Sequence, residues 1–207
     1  MNFNTTQYKR SRGAYMAQCT FEYFVTLLVT DAFLAKLLTH IGISDHLIGI
    51  IASYVSMTYD IQVVTIFLVK TKWSTKTLVM FFDTLSIFFF MFLYLIPFLS
   101  LSAGTKTVLA VLSVILAYLG RYLIHSLCYK WGNSFVNPYK RARYSANKEI
   151  ISVITGMIFT TVIGYIIDHY EGIGNIEGGF LFIASSILIL NVCNFVCLLM
   201  IKKEDET

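Results

Sequence analysis

The sequence is poor in charged residues. Asp, Glu, Lys and Arg make up 14% of its 207 residues, about half the fraction of an ordinary soluble domain. Hydrophobic residues make up 57% and aromatic residues 15%. This composition is typical of a membrane protein. The net charge of +4 does not indicate nucleic-acid binding, because the basic residues do not form one exposed face.

Sequence signatures of enzymes are also missing. The chain has no HExxH zinc motif, no nucleotide-binding glycine loop, no GxSxG turn and no cluster of metal ligands. The Gly-rich stretch EGIGNIEGG, residues 171–179, follows no strand and falls in a turn between two apolar segments. We therefore predict that the protein is not an enzyme and uses neither a cofactor nor a metal ion.

Six segments are long and apolar enough to cross a membrane as helices, which takes about 20 residues. They are much longer than the strands of a membrane barrel, which need about ten. We predict an all-α membrane protein with a transmembrane bundle over 16–201, an N-terminal tail over 1–15 and a C-terminal tail over 202–207. The six predicted spans are 16–39, 46–69, 77–99, 107–129, 149–167 and 179–201.

Six spans place both termini on one side, and the basic residues indicate which side. Thirteen Lys and Arg residues fall on the side of the termini, whereas the opposite side has only Lys36 and Lys106. Since loops rich in Lys and Arg stay in the cytoplasm, we predict cytoplasmic termini in a multi-pass protein of the cell membrane. The basic stretch VNPYKRARYSANKE, 136–149, is then a cytoplasmic loop near anionic headgroups, with a specific lipid or partner site as the alternative.

The cysteines do not predict disulfides, because all of them fall in the cytoplasmic halves of spans, next to a reducing compartment. They are Cys19, Cys128, Cys193 and Cys197. The last two share a helix face, but without a His or a second pair they are weak evidence for metal. We interpret all four as small packing residues.

Small residues recur every four positions in two of the spans, and such a ridge lets another helix approach closely in lipid. The helix-packing ridge of the fifth span consists of Ser152, Gly156, Thr160 and Gly164. The second span has a weaker series of Ala52, Ser56 and Asp60. This likeness predicts that spans one to three and four to six are two inverted three-helix repeats.

Three stretches carry a resemblance to a known family. They are the loop NPYKRARYSANKE at 137–149, the Gly-spaced helix GMIFTTVIGYIID at 156–168, and the turn IGISDHLIGIIASY at 41–54. In these features the chain resembles the N-terminal six-helix half of the major facilitator superfamily. Arg121, in AYLGRYLIHSL, looks like the arginine of that family's fourth helix. The loop FLVKTKWSTKTLV, 67–79, keeps the family's basic residues but lacks its Gly and Asp.

The resemblance implies half of a secondary active transporter that works by alternating access. Family members usually have twelve helices in two halves, with the substrate between them, and this chain ends after six predicted spans. The ridges of spans two and five would then await a second six-helix bundle, which is a second copy, a separately encoded half or one lost by truncation. The alternative reading is a structural or vestigial six-helix membrane protein that does not transport.

Ionisable residues inside spans are candidates for function because an unpaired charge is costly in lipid. Arg121, Glu22 and Asp83 lie at comparable depth. We expect Arg121 to pair with Glu22, with Asp83 as the competing partner, and a purely structural ion pair is the alternative to a transport role.

Two further carboxylates, Asp31 and Asp60, fall near the centres of the first two spans. Either of them could exchange a proton during coupled transport of a small-molecule solute. Asp60 could instead hydrogen-bond across a helix interface. Asn191 and Asn194 on the sixth span are polar enough to join helices, but two amides do not define a site.

Overall fold

The computed structural model describes residues 6–58, 60 and 74–202, without the side chain of Asp31. These residues form seven α-helices and two short 3₁₀ helices, with no β-strand among them. The α-helices are α1 (Thr6–Leu28), α2 (Asp31–Ile41), α3 (Asp45–Met57), α4 (Thr75–Leu95), α5 (Ala103–Ser134), α6 (Arg141–Gly172) and α7 (Ile176–Met200). The 3₁₀ helices are Ile96–Phe98 and Pro138–Lys140.

Four helical segments are long and apolar enough to cross a membrane: Thr75–Phe98, Ala103–Ser134, Pro138–Gly172 and Ile176–Met200. A fifth candidate is the pair of α1 and α2, if these two helices form one span with a bend of 42°. The all-α prediction is thus confirmed for the described residues. Several long apolar helices are compatible with a multi-pass membrane protein. The predicted second span begins with α3, but its remainder lies outside the described residues, apart from 58 and 60.

The first predicted span, 16–39, is not one straight helix. The helix is interrupted at Val29 and Thr30, between α1 and α2. Two carbonyls at the break accept hydrogen bonds from tyrosines: Leu28 O from the Tyr94 hydroxyl, and Val29 O from the Tyr118 hydroxyl at 2.7 Å. An unpaired carbonyl in a membrane interior is costly, so these hydroxyls stabilise the bend.

Two helices begin earlier than the apolar pattern predicts. Residues 6–15, placed in the N-terminal tail by the sequence, belong to α1, where Tyr8 and Tyr15 are buried. The basic stretch 136–149 is mostly helical rather than a loop, because α6 starts at Arg141. Pro138 suits the first turn of a helix, and the Asn137 side chain accepts a hydrogen bond from Tyr139 N at 3.1 Å.

The helices pack so that α7 lies against both α1 and α4, while α5 packs on α4 and α6 packs on α1. They enclose two apolar clusters, one at each end of the bundle. The larger includes Leu28, Phe90, Tyr118 and Ile187. The smaller, towards the side predicted to be cytoplasmic, includes Tyr15, Leu78, Trp131 and Leu198.

A layer of polar side chains separates the two clusters. Each of four helices contributes to it at the position where one cluster ends and the other begins. These residues are Gln18 and Glu22 on α1, Asp83 on α4, Arg121 on α5 and Asn194 on α7. Buried polar groups are costly unless they find partners, so the layer identifies the candidate site.

Candidate functional site

An ion pair between α1 and α5 lies at the centre of this polar layer. Arg121 Nη2 is 3.1 Å from Glu22 Oε1, and the two side chains are only 8% and 20% exposed. The same nitrogen donates a hydrogen bond to the backbone carbonyl of Glu22 at 2.8 Å. Arg121 therefore pairs with Glu22, the partner favoured by the sequence, and not with Asp83.

The carboxylate of Glu22 is satisfied at both oxygens. Oε1 faces Arg121, and Oε2 accepts a hydrogen bond from Gln18 Nε2 at 3.0 Å. The Arg121 guanidinium also lies 6.0 Å from the centroid of the Phe90 ring, within range of a cation–π contact. These contacts offset the free-energy cost of removing both charges from water.

Asp83 faces a different partner on α7. The residue is 2% exposed, and its Oδ2 accepts a hydrogen bond from Asn194 Nδ2. Asn194 is fully buried, and its own Oδ1 has no hydrogen-bond partner among the described residues. The carboxyl is thus held in place by an amide rather than by a cation.

Lys148 is a site residue that the sequence did not single out. Only 8% of the residue is exposed, and its Nζ lies 3.0 Å from Glu149 Oε1. The ammonium also faces the rings of Tyr15 and Tyr129, at 5.5 and 5.9 Å from their centroids. Its position one helical turn before Ser152 extends the small-residue face of α6, and this spacing could have revealed it.

Arg121, Glu22, Asp83 and Lys148 line one cavity of about 320 Å³ between α1, α4, α5 and α6. That volume is in the range of small-molecule pockets. The lining combines two cations, three carboxylates and several hydroxyl and thiol groups: Arg121, Lys148, Glu22, Asp83, Glu149, Tyr15, Tyr23, Thr26, Ser152, Cys19 and Cys128. A polar small molecule could therefore find both donors and acceptors there.

Of the two proposed proton carriers, only Asp60 has a described side chain. Asp60 is exposed and does not line the cavity. Asp31 is the first residue of α2, and its side chain lies outside the described part of the structure. Among the described carboxylates, Glu22, Asp83 and Glu149 line the cavity.

The helix-packing ridge of α6 is partly used inside the bundle. Ser152 Oγ lies 3.3 Å from the Thr20 hydroxyl of α1, and a Cβ added at Gly156 would lie 2.5 Å from the Tyr23 ring. Thr160 and Gly164 are half-buried, and a Cβ at Gly164 would meet no atom within 4 Å. Ser152 and Gly156 therefore contact α1 within the chain, and the expectation that a second bundle packs on this ridge stays a prediction.

The ridge of the second predicted span has a different environment. In α3, Gly49, Ala52, Ser53 and Ser56 are all exposed on the surface of the bundle. Ala52 and Ser56 also line a shallow cavity with residues of α2 and with Tyr118 of α5. This face remains the small-residue surface that another helix could approach closely.

No family model, curated protein or solved structure matches this chain. Among the described residues, no group of three or more His, Cys, Asp or Glu side chains is placed to hold a metal ion. An assignment of function therefore depends on the geometry of the cavity and on the resemblance in the sequence.

Proposed function

We propose that the protein is one half of a secondary active transporter that works by alternating access, of the major facilitator type. In this proposal six transmembrane helices, arranged as two inverted repeats, lie in the cell membrane with both termini in the cytoplasm. A second six-helix bundle, from another copy or another chain, encloses the solute. The observation that carries the proposal is the buried Arg121–Glu22 pair in the wall of a polar cavity.

A buried ion pair beside an open cavity is difficult to explain by stability alone. Replacing such a pair with apolar residues of similar volume is often neutral or stabilising, since desolvation offsets the attraction between the charges. Intramembrane charges are retained where they line a solute or ion pathway. Arg121 and Glu22 fulfil that condition, because both contribute to the wall of the 320 Å³ cavity.

The cavity also suggests the kind of solute. Two ion pairs lie in its wall, one between Lys148 and Glu149 and the other between Arg121 and Glu22. These groups can replace the hydration shell of a small polar molecule that carries a charge. The free-energy cost of removing such a molecule from water is therefore low in this cavity. Proton coupling suits the carboxylates, which can bind a proton when the solute leaves.

A non-transporting membrane protein is the second candidate. The contact of Gly156 with Tyr23 favours it, because this part of the α6 ridge is already satisfied within the chain and needs no second bundle. In that case the Arg121–Glu22 pair would serve only to fix the register of α1 and α5.

Transport currents distinguish the two candidates. The purified protein is reconstituted in liposomes adsorbed on a solid-supported electrode, and small anionic, cationic and zwitterionic solutes are applied with and without a proton gradient. We expect a current for one class of solute that is lost in Arg121→Gln. The exposed Arg143→Gln is the matched control and should retain the current. If the protein is folded and no class of solute produces a current, the result would favour the non-transporting alternative.

A further inference from the structure

Asp83 is the most deeply buried carboxylate of the cavity wall. Its residue is 2% exposed, compared with 20% for the side chain of Glu22. It lies on α4 between Val79 of the smaller apolar cluster and Ile87 of the larger one. An ionised carboxylate in such a place needs a cation or several donors.

The cations near Asp83 are already compensated by other groups. Arg121 pairs with Glu22 at 3.1 Å, and Lys148 pairs with Glu149 at 3.0 Å. The remaining titratable groups that face Asp83 across the cavity add no positive partner within salt-bridge distance. Those groups are Tyr15, Cys19 and Tyr23 on α1 and Tyr122, His125, Cys128 and Tyr129 on α5, besides the paired Glu22, Arg121, Lys148 and Glu149, while on α7 the amide of Asn194 bonds Asp83.

Among the described residues, the amide of Asn194 lacks a hydrogen-bond donor for its oxygen. Its Nδ2 donates to Asp83 Oδ2, and its buried Oδ1 has no hydrogen-bond partner in the described part of the chain. An ionised carboxylate only accepts hydrogen bonds, whereas a protonated carboxyl also has an O–H donor. A flipped Asn194 amide would also need a protonated Asp83. Its oxygen would then face the carboxyl and would need a hydrogen-bond donor there.

We propose that Asp83 is a proton-binding site, in which a neutral carboxyl forms two hydrogen bonds with the Asn194 amide. The carboxyl O–H donates to Asn194 Oδ1, and the other carboxyl oxygen accepts from Nδ2. On release the O–H bond breaks, the proton passes to water in the cavity, and the carboxylate keeps only the bond from Nδ2. The use of this proton in coupling rests on the proposed transport function, but proton binding itself does not.

Infrared difference spectroscopy during a pH titration in nanodiscs tests the site directly. We expect a C=O band of a protonated carboxyl in the wild-type protein that is lost in Asp83→Asn and retained in Glu22→Gln. Asn194→Leu should shift the band to higher frequency, because the neutral carboxyl loses its partner. Asn191→Leu is the matched control on the same helix, and it should leave the band in place. This pair of variants keeps the test valid even if Asp83→Asn fails to fold.

Two results would overturn the proposal. One is a band that survives Asp83→Asn in folded protein. The other is a wild-type spectrum without such a band at any pH at which the protein stays folded. Transport currents are recorded in parallel on the same preparations. A titrating Asp83 band without any current would reject the transporter and keep the proton site, whereas currents without the band would reject the proton site alone.

Discussion

The ring of Tyr15 lies directly on the backbone of Gly132, so that a Cβ added at Gly132 would be 2.2 Å from the ring carbon Cζ. This contact joins α1 to α5 at the end of the bundle that holds Lys148. Tyr15 also faces the Lys148 ammonium and lines the cavity. The Gly132 contact therefore positions one wall of the candidate site.

Gly132→Ala should destabilise the protein, because neither the ring of Tyr15 nor the backbone of α5 can move away without disturbing the smaller apolar cluster. Overpacking of this kind costs about 1–3 kcal/mol. Thermal unfolding in detergent, followed by tyrosine and tryptophan fluorescence, measures the effect. The control is Gly13→Ala, since a Cβ at Gly13 would meet nothing within 4 Å. Equal unfolding temperatures for the two variants would contradict the tight contact.

The ridge of α6 should respond unequally to the same substitution. Gly156→Ala places a methyl group against Tyr23 and should lower the unfolding temperature, whereas Gly164→Ala has open space around it. Because alanine is the better helix former, Gly164→Ala should be neutral or slightly stabilising. If Gly156→Ala were harmless to the isolated chain, the groove between α1 and α6 would have to be wider than described.

The Arg121–Glu22 pair should be detectable in a double-mutant cycle. Glu22→Gln and Arg121→Gln each leave a buried charge without its partner. Each change should lower the free energy of unfolding by about 1–3 kcal/mol or more. The double variant should cost less than the sum of the two single changes, as expected for residues in contact. Chemical unfolding in mixed micelles gives the four free energies of unfolding, for the wild type, the two single variants and the double variant. Additive losses would show that the two side chains do not interact energetically.

The charge-reversed double variant, Glu22→Arg with Arg121→Glu, extends this cycle to activity. It should restore part of the stability lost in each single reversal, and part of the transport current if the pair also serves the cavity. Recovery of stability without current would indicate that the orientation of the charges matters for the solute. Such a result would separate the structural role of the pair from its transport role.

The proposed second bundle should be found against α3. Native mass spectrometry from nanodiscs should show a dimer, or a complex with another chain. In a variant without native cysteines, Ala52→Cys should form a cross-link between copies, because Ala52 is exposed on the small-residue face. Leu188→Cys, 49% exposed on α7, is the control and should not cross-link. A uniform monomer with no cross-link at residue 52 would reject association through α3.

The sequence predicts the membrane-embedded parts of the helices better than their ends. Span 77–99 matches α4 and its 3₁₀ extension closely, because there the helix and the apolar run coincide. Span 149–167 covers only part of α6, which begins at Arg141. Hydropathy detects the residues in the hydrocarbon core, whereas helix ends depend on capping groups such as Asn137 and on propensity outside it.

The candidate site could be predicted in part. Comparable depth predicts that Arg121 pairs with Glu22 or Asp83, since an isolated charge is costly at that level, and the family resemblance, in which helices one and four line the cavity, favours Glu22. The partnership of Asp83 with Asn194 does not follow, because it depends on α7 packing against α4, and that contact joins residues 111 positions apart. Lys148 was missed because a lysine at the end of a basic segment looks like any other surface cation.

The bend between α1 and α2 has a consequence for the order in which the chain assembles. Leu28 O and Val29 O are satisfied by hydroxyls of Tyr94 and Tyr118, and both tyrosines are synthesised more than sixty residues after the break. If α1 and α2 form one span that enters the bilayer first, neither partner exists at that stage. A straight helix would satisfy these carbonyls then, so we expect the bend to form after α4 and α5 pack against it.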